Sequence, residues 1–353
     1  MNSTATIAGI QQIGIGVLDV KQAFAWYRKY FGIDIPVFDE AAEAPYMTRY
    51  TGGKVHSRHA ILAINMRGGG GFEIWQYTSR EPSPCTFELM PGDLGIFAAV
   101  IKSSDVRASF DSFLSLGTGL ASPIVRDPAG RDVFLVRDPW GNLFRLVPSA
   151  DWFAEGPSYT GGVTGSVIGV SDMNASLKFY REILGYDDII YQVEGQFPDL
   201  SHLPGGDCVC RRTLLTHRQP RVGAFSSLLG NTEIELIQVL DRTPRKVYHD
   251  RYWGDCGFIH LCFDINGQDA MREKCASMGY PYTTDSRSSF NMGDAAGHFS
   301  YIEDPDGTLI EFVETHKIPI IKKLGWYLDL RRRDRSRPLP RWILKTLSFS
   351  RVR

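Results

Sequence analysis

Near the start of the chain, Ile13-Gly14-Ile15-Gly16-Val17-Leu18-Asp19 leads into Ala23-Phe24-Ala25-Trp26-Tyr27 and ends on Phe31-Gly32. Further along, Val167-Ile168-Gly169-Val170-Ser171-Asp172 leads into Leu177-Lys178-Phe179-Tyr180 and ends on Leu184-Gly185. From Val17 to Gly32 is 15 positions, as it is from Val170 to Gly185, and the copies are offset by 153. Each reads as a strand, an Asp near a helix start, an amphipathic helix with an aromatic pair, and a Gly past its end. A repeat of this length is one supersecondary unit used more than once.

Two fainter copies complete the pattern. Residues 96 to 101 precede Asp105 and a helix ending near Leu116-Gly117, and residues 260 to 265 precede Asp269 and a helix ending near Met278-Gly279. Both close on a matching turn and strand: Asp138-Pro139-Trp140-Gly141 before Leu143-Phe144-Arg145-Leu146, and Asp304-Pro305-Asp306-Gly307 before Leu309-Ile310-Glu311-Phe312. Pro second and Gly fourth suit a tight turn between strands. The other two units close on Phe72-Glu73-Ile74 and Ile234-Glu235-Leu236. The chain therefore reads as α+β, four βαβββ units in two halves. Residues 1–150 hold two units, 151–162 end a Gly- and Pro-bearing linker, 163–316 hold two more, and 317–353 form an extension.

Composition narrows the function. With 353 residues, 43% hydrophobic and 12% aromatic, the chain can fill complete cores. Lys plus Arg number 39 and Asp plus Glu 40, a net charge of −1, so no global charge recruits nucleic acid and none is expected as a partner. No apolar run approaches the ~20 residues of a membrane span, and the first residues show no signal peptide, so a cytoplasmic location is expected. Six cysteines without a CxxC pair read as reduced thiols. The run Gly68-Gly69-Gly70-Gly71 lacks the Lys-Ser/Thr of a phosphate loop and reads as a hairpin. Trp26, Tyr27, Phe179 and Tyr180 read as core.

In order and number, these motifs resemble the vicinal oxygen chelate superfamily, which includes glyoxalase I, methylmalonyl-CoA epimerase, extradiol dioxygenases and bleomycin-resistance proteins. The resemblance spans roughly residues 8–315. It implies two cupped, mostly antiparallel half-barrel sheet pairs, a metal ion between paired units, and a small-molecule substrate. It also implies that ligands come from the first and last strand of each unit. Aligning the repeats puts Gln12, Ile96, Gly165 and His260 at the first-strand positions, and Glu73, Arg145, Glu235 and Glu311 at the last. Three Glu at equivalent places in apolar strands point the same way, because buried carboxylates are costly unless paired or bound to a cation.

Two pairings of units remain open. If neighbours pair, the second half holds Glu235, His260 and Glu311. If the first unit pairs with the fourth, the set is Gln12, Glu73, His260 and Glu311, similar to the ligation of glyoxalase I, and the inner pair is a dead site. The second arrangement is slightly favoured. Either set suits one six-coordinate divalent ion, with Zn²⁺, Ni²⁺, Mn²⁺, Fe²⁺ and Co²⁺ all compatible. The expected chemistry is that of a lyase or isomerase stabilising an enediolate, with Glu311 or Glu73 as base. A non-catalytic binding or resistance module is the alternative, as is an extradiol ring-cleavage dioxygenase. The last needs two first-strand histidines, and Gly165 stands where one should be. His298 and Tyr301, upstream of the Asp304 turn, are expected near substrate.

From residue 315 onward there are twelve Lys or Arg against two Asp, +10 against −11 for the rest of the chain. Apolar residues interleave with these charges. Docking of this segment on the acidic body is the expectation, with anionic lipid or nucleic acid as the other surfaces that such a pattern fits.

Overall fold

The computed structural model describes residues 5–117, 119–287, 290–292, 295–321, 326–331 and 333–352. Four units follow one another. The first is β1 (Thr6–Gly16), α1 (Val20–Phe31), β2 (Ile35–Glu43), β3 (Ser57–Ile64) and β4 (Gly71–Tyr77). The second is β5 (Gly95–Ser103), α2 (Val106–Ser115), β6 (Val125–Arg126), β7 (Asp132–Arg137) and β8 (Leu143–Pro148). The third is β9 (Thr160–Gly169), α3 (Met173–Glu182), β10 (Asp188–Gly195) and β11 (Cys210–Thr216), then a short α4 (Ser226–Leu229) and β12 (Glu233–Val239). The fourth is β13 (Gly257–Asn266), α5 (Gln268–Ser277), β14 (Thr284–Asp285), β15 (Phe290–Met292), β16 (Ala295–Glu303) and β17 (Leu309–Ile321). β18 (Trp326–Asp329) and α6 (Arg341–Lys345) follow.

The repeated Asp is a helix cap in three units. Asp19, Asp105 and Asp172 each accept backbone N–H bonds from the first turn, satisfying donors the helix itself leaves unpaired. Gly32 ends α1 at φ 64°, a left-handed position that a residue with a side chain resists. In the fourth unit the cap is Gly267, and Asp269 lies inside the first turn. That shift of two residues corrects the repeat alignment. Register pairs Cys262 with Glu311 and Val100 with Arg145, so the inner counterpart of His260 is Ala98 rather than Ile96.

Two mixed, mainly antiparallel sheets result, as the fold class anticipates. One runs β14-β16-β17-β13-β1-β4-β3-β2, with β15 and β18 beside it, and the other β10-β11-β12-β9-β5-β8-β7-β6. β1 pairs antiparallel with β13, and β5 with β9. The first unit thus joins the fourth and the second joins the third, so each half of the sequence gives one unit to each sheet. The helix-facing sides fill a continuous core in which Tyr27, Phe31, Phe72, Phe144, Phe179 and Tyr180 are fully buried. Tyr27 donates to Asp138 (2.7 Å) and Tyr180 to Asp304 (2.9 Å), tying each aromatic pair to the turn of the next unit.

The basic extension packs on the body. Leu330, Leu339, Ile343 and Leu344 are buried with Ile35, Met66, Phe153 and Leu228, and Arg351 pairs with Asp34 at 2.9 Å. Lys322, Lys323, Arg332 and Arg353 lie outside the described residues. Among the described residues no helix is long and apolar enough to cross a membrane.

Candidate metal centre

Strand alternation aims one side chain in two into each cup. On β4 the cup-facing residues are Glu73 and Trp75, on β17 Glu311 and Val313, and on β16 Phe299 and Tyr301, and all line one cavity. Gln12 joins them from β1, and His260 from β13 stands against the same two carboxylates. Nε2 of His260 is 3.2 Å from Glu73 Oε2 and 3.1 Å from Glu311 Oε2. Gln12 Nε2 donates to Glu73 at 3.0 Å and reaches Glu311 at 3.4 Å. Ligand atoms of Glu73, His260 and Glu311 all lie within 4.8 Å of one another, the one such acidic or His/Cys group among the described residues.

The electrostatics suit a cation. Burial alone would lower the His260 pKa, but Glu311 and Glu73 outweigh it and raise the imidazole to about 10. Burial pushes Glu311 up, and the His260 charge overcomes this and holds it below its usual value. Gln12 Oε1 and His260 Nε2 are both buried without a well-formed hydrogen bond. Two oxygens of carboxylates, one amide able to present oxygen and one imidazole nitrogen form a hard, octahedral-tolerant donor set. These residues fit a divalent ion. Behind the imidazole, Tyr301 OH lies 3.4 Å from Nδ1, a contact that sets which ring nitrogen faces the carboxylates. Trp253 lies parallel to the ring, 12° between planes.

The cavity beside this cluster is about 270 Å³, walled by Phe38, Met47, Trp75, Trp253 and Phe299, with Arg58 on its rim. Arg58 is held by Glu40 at 2.7 Å and lies over the Trp75 ring. Trp253 and Arg58 escaped the sequence reading. Trp75 was legible there, two positions after Glu73 and so on the same face of the strand.

Two expected residues stand elsewhere. His298 is corrected by parity: Phe299 and Tyr301 face the cup, so His298 and Ser300 face the helix side. There His298 Nε2 meets Asp285 at 2.6 Å. None of His202, His217, His249 and His298 lines the cavity. Glu235 belongs to the inner sheet, at the place equivalent to Glu73, and its carboxylate is taken up by two arginines. Arg145 donates to its Oε2, and Arg212 (2.6 Å) and Tyr191 (2.6 Å) donate to its Oε1. Asp199 clamps the far side of Arg212 at 2.6 and 2.8 Å. Burial raises Glu235, and the two guanidiniums reverse this and bring it to about 2. The residues 196 to 207 close this cup through Leu200 and Leu203, leaving about 10 Å³.

The profile of the Glyoxalase/Bleomycin resistance protein/Dioxygenase superfamily matches residues 9–146 and 163–312, and the chain belongs to that superfamily. Among solved structures, glyoxalase I from Zea mays aligns over 88% of this chain and 92% of its own, with 14% identity and a TM-score of 0.53. A Bacillus subtilis protein with a provisional dioxygenase assignment aligns over 88% and 86%, with 12% identity and a TM-score of 0.54. At these identities the likeness is one of fold. A search of curated proteins finds no match.

Proposed function

We propose that the outer cup is a metal-dependent active centre of the glyoxalase type, a lyase or isomerase acting on a small substrate with two adjacent oxygens. The observation that carries this is the convergence of Glu73, His260 and Glu311, from three strands of two units, on one point beside an apolar cavity. A divalent ion held there would supply Lewis acidity toward two adjacent substrate oxygens. Gln12, Glu73, His260 and Glu311 would hold the ion, one carboxylate alternating between ligand and base. Glu311 is the more buried carboxylate, its side chain 8% exposed against 12% for Glu73. Glu73 is the less buried of the two and faces the cavity, which suits it to take a proton from one substrate carbon and return it to the next. Trp75, Trp253 and Phe299 exclude water from that transfer and favour an apolar substituent.

A ring-cleaving dioxygenase would draw on two histidines and one carboxylate. The donor set here has one imidazole, so the chemistry is assigned as non-oxidative. The test is to load the protein with Zn²⁺, Ni²⁺, Mn²⁺, Fe²⁺ or Co²⁺ in turn and offer thiol–aldehyde adducts and catechols. Isomerisation of an adduct, with solvent deuterium appearing at the carbon next to the carbonyl, supports the proposal. Oxygen uptake with catechols and Fe²⁺ overturns it, and binding without turnover favours a sequestering module.

A further inference from the structure

The extension that docks on the body leaves one face turned outward. Its last part is a continuous helical run, α6 followed by a 3-10 turn over Thr346–Ser350. Ile343 and Leu344 point inward, with Leu347 packed beside them. On the other side Trp342 is 61% exposed and Phe349 79% exposed, the two most exposed large apolar side chains among the described residues. They are seven positions apart, about two helical turns, and both stand clear of the buried Ile343 and Leu344.

Apolar groups of this size are normally hidden, and single exposed ones are unremarkable. Here two aromatics stand out together in a segment whose sequence carries twelve basic residues against two acidic. Lys345 is exposed between them on the same run. Arg351, 42% exposed, follows on the far side and is tethered to Asp34. Arg337, 79% exposed and paired with Asp334, precedes the run. The rest of the chain carries a net −11, so the sequence is electrically lopsided toward the segment that bears these aromatics.

We propose that this outward face is a docking surface for an anionic lipid bilayer. The buried stripe fixes the helical run to the protein, and Trp342 and Phe349 enter the boundary between headgroups and acyl chains. The surrounding Lys and Arg meet the negative headgroups. Aromatic side chains favour that boundary, and a polybasic surround gives the second of the two signals that stable peripheral attachment needs. The segment is too short to span, so attachment is reversible. A nucleic acid would use the same cations but has no need of two bulky apolar tips aimed into solvent. This inference stands apart from the metal centre.

The experiment is co-sedimentation of the full chain with vesicles of phosphatidylcholine, alone or with about one third phosphatidylserine. The expected result is binding to the mixed vesicles about tenfold or more tighter than to neutral ones, weakened by added salt. The Trp342→Ser/Phe349→Ser double variant should lose about tenfold in partitioning, and Lys345→Glu should weaken it further. Since these side chains are exposed, the variants keep the wild-type melting temperature and metal content, which separates loss of docking from loss of fold. Equal binding to neutral vesicles, no binding at all, or an unaltered double variant overturns the proposal. So does tighter binding to duplex DNA that survives removal of both aromatics, which would assign the surface to nucleic acid.

Discussion

Gly14 lies face to face with His260. The two are register partners across the β1–β13 pair, and a Cβ on residue 14 would stand 2.5 Å from the imidazole Cε1 and 2.8 Å from Nε2. No carbon comes that close, so the absence of a side chain at residue 14 is the space the imidazole occupies. Gly14 also pairs with Glu73 on its other side, which makes this one backbone position the floor of the centre.

Gly14→Ala therefore pushes His260 off the carboxylates without changing the identity of any ligand. The expected outcome is metal affinity lowered about 10- to 100-fold, the range seen when a group that orients a ligand is lost. Calorimetric titration with Zn²⁺ or Ni²⁺ checks it, and unchanged affinity would remove Gly14 from the account.

Glu73 and Glu235 occupy equivalent positions in the two sheets and should behave oppositely. Glu235→Gln leaves Arg145 and Arg212 buried without their shared counter-charge, a loss of about 3 kcal/mol or more, with metal content untouched. Glu73→Gln should weaken metal binding at little cost in stability. Denaturant unfolding paired with metal analysis on both variants reads the contrast.

The same cluster sets a pH dependence. In the fold the Glu235 carboxyl sits at about 2 against an ordinary value of 4.5, so the unfolded chain binds its proton first. The stabilisation is complete above about pH 4.5 and is lost as pH falls toward 2. Unfolding free energies of wild type and Glu235→Gln should converge across that window. A gap that stays constant from pH 6 to pH 2 would contradict the assignment.

Tyr27 and Tyr180 can be tested as a pair. Removing the hydroxyl leaves Asp138 or Asp304 buried with one partner fewer, and burial already raises the Asp304 pKa to about 6. Tyr27→Phe and Tyr180→Phe should each cost about 1–3 kcal/mol, and the double variant should show near-additive losses because the two contacts lie in different units. Thermal unfolding measures it.

Much of this was legible in the sequence because the signals are local. The Asp cap, the aromatic pair and the Asp-Pro-x-Gly turn each act over a few residues, and they recur. Unit pairing was not, because β1, β5, β9 and β13 are all apolar opening strands and nothing near Gly14 names His260, far along the chain, as its neighbour. Gly267 replacing Asp as the fourth cap hid a two-residue slip, which made Ile96 rather than Ala98 the counterpart of His260. His298 was misplaced since the parity of β16 is visible only once Tyr301 is seen opposite Glu311. Arg212 and Asp199 carried no repeat signal at all, being private to the third unit.

The central claim is that the outer cup, and only the outer cup, holds a metal ion. Elemental analysis of the purified protein after incubation with divalent ions and exhaustive dialysis addresses it directly, using wild type, His260→Ala, Glu311→Ala and Glu235→Gln. The account predicts about one ion per chain in wild type and in Glu235→Gln, and none retained in His260→Ala or Glu311→Ala. Full stoichiometry in both of the latter, or loss of the ion in Glu235→Gln alone, would contradict it.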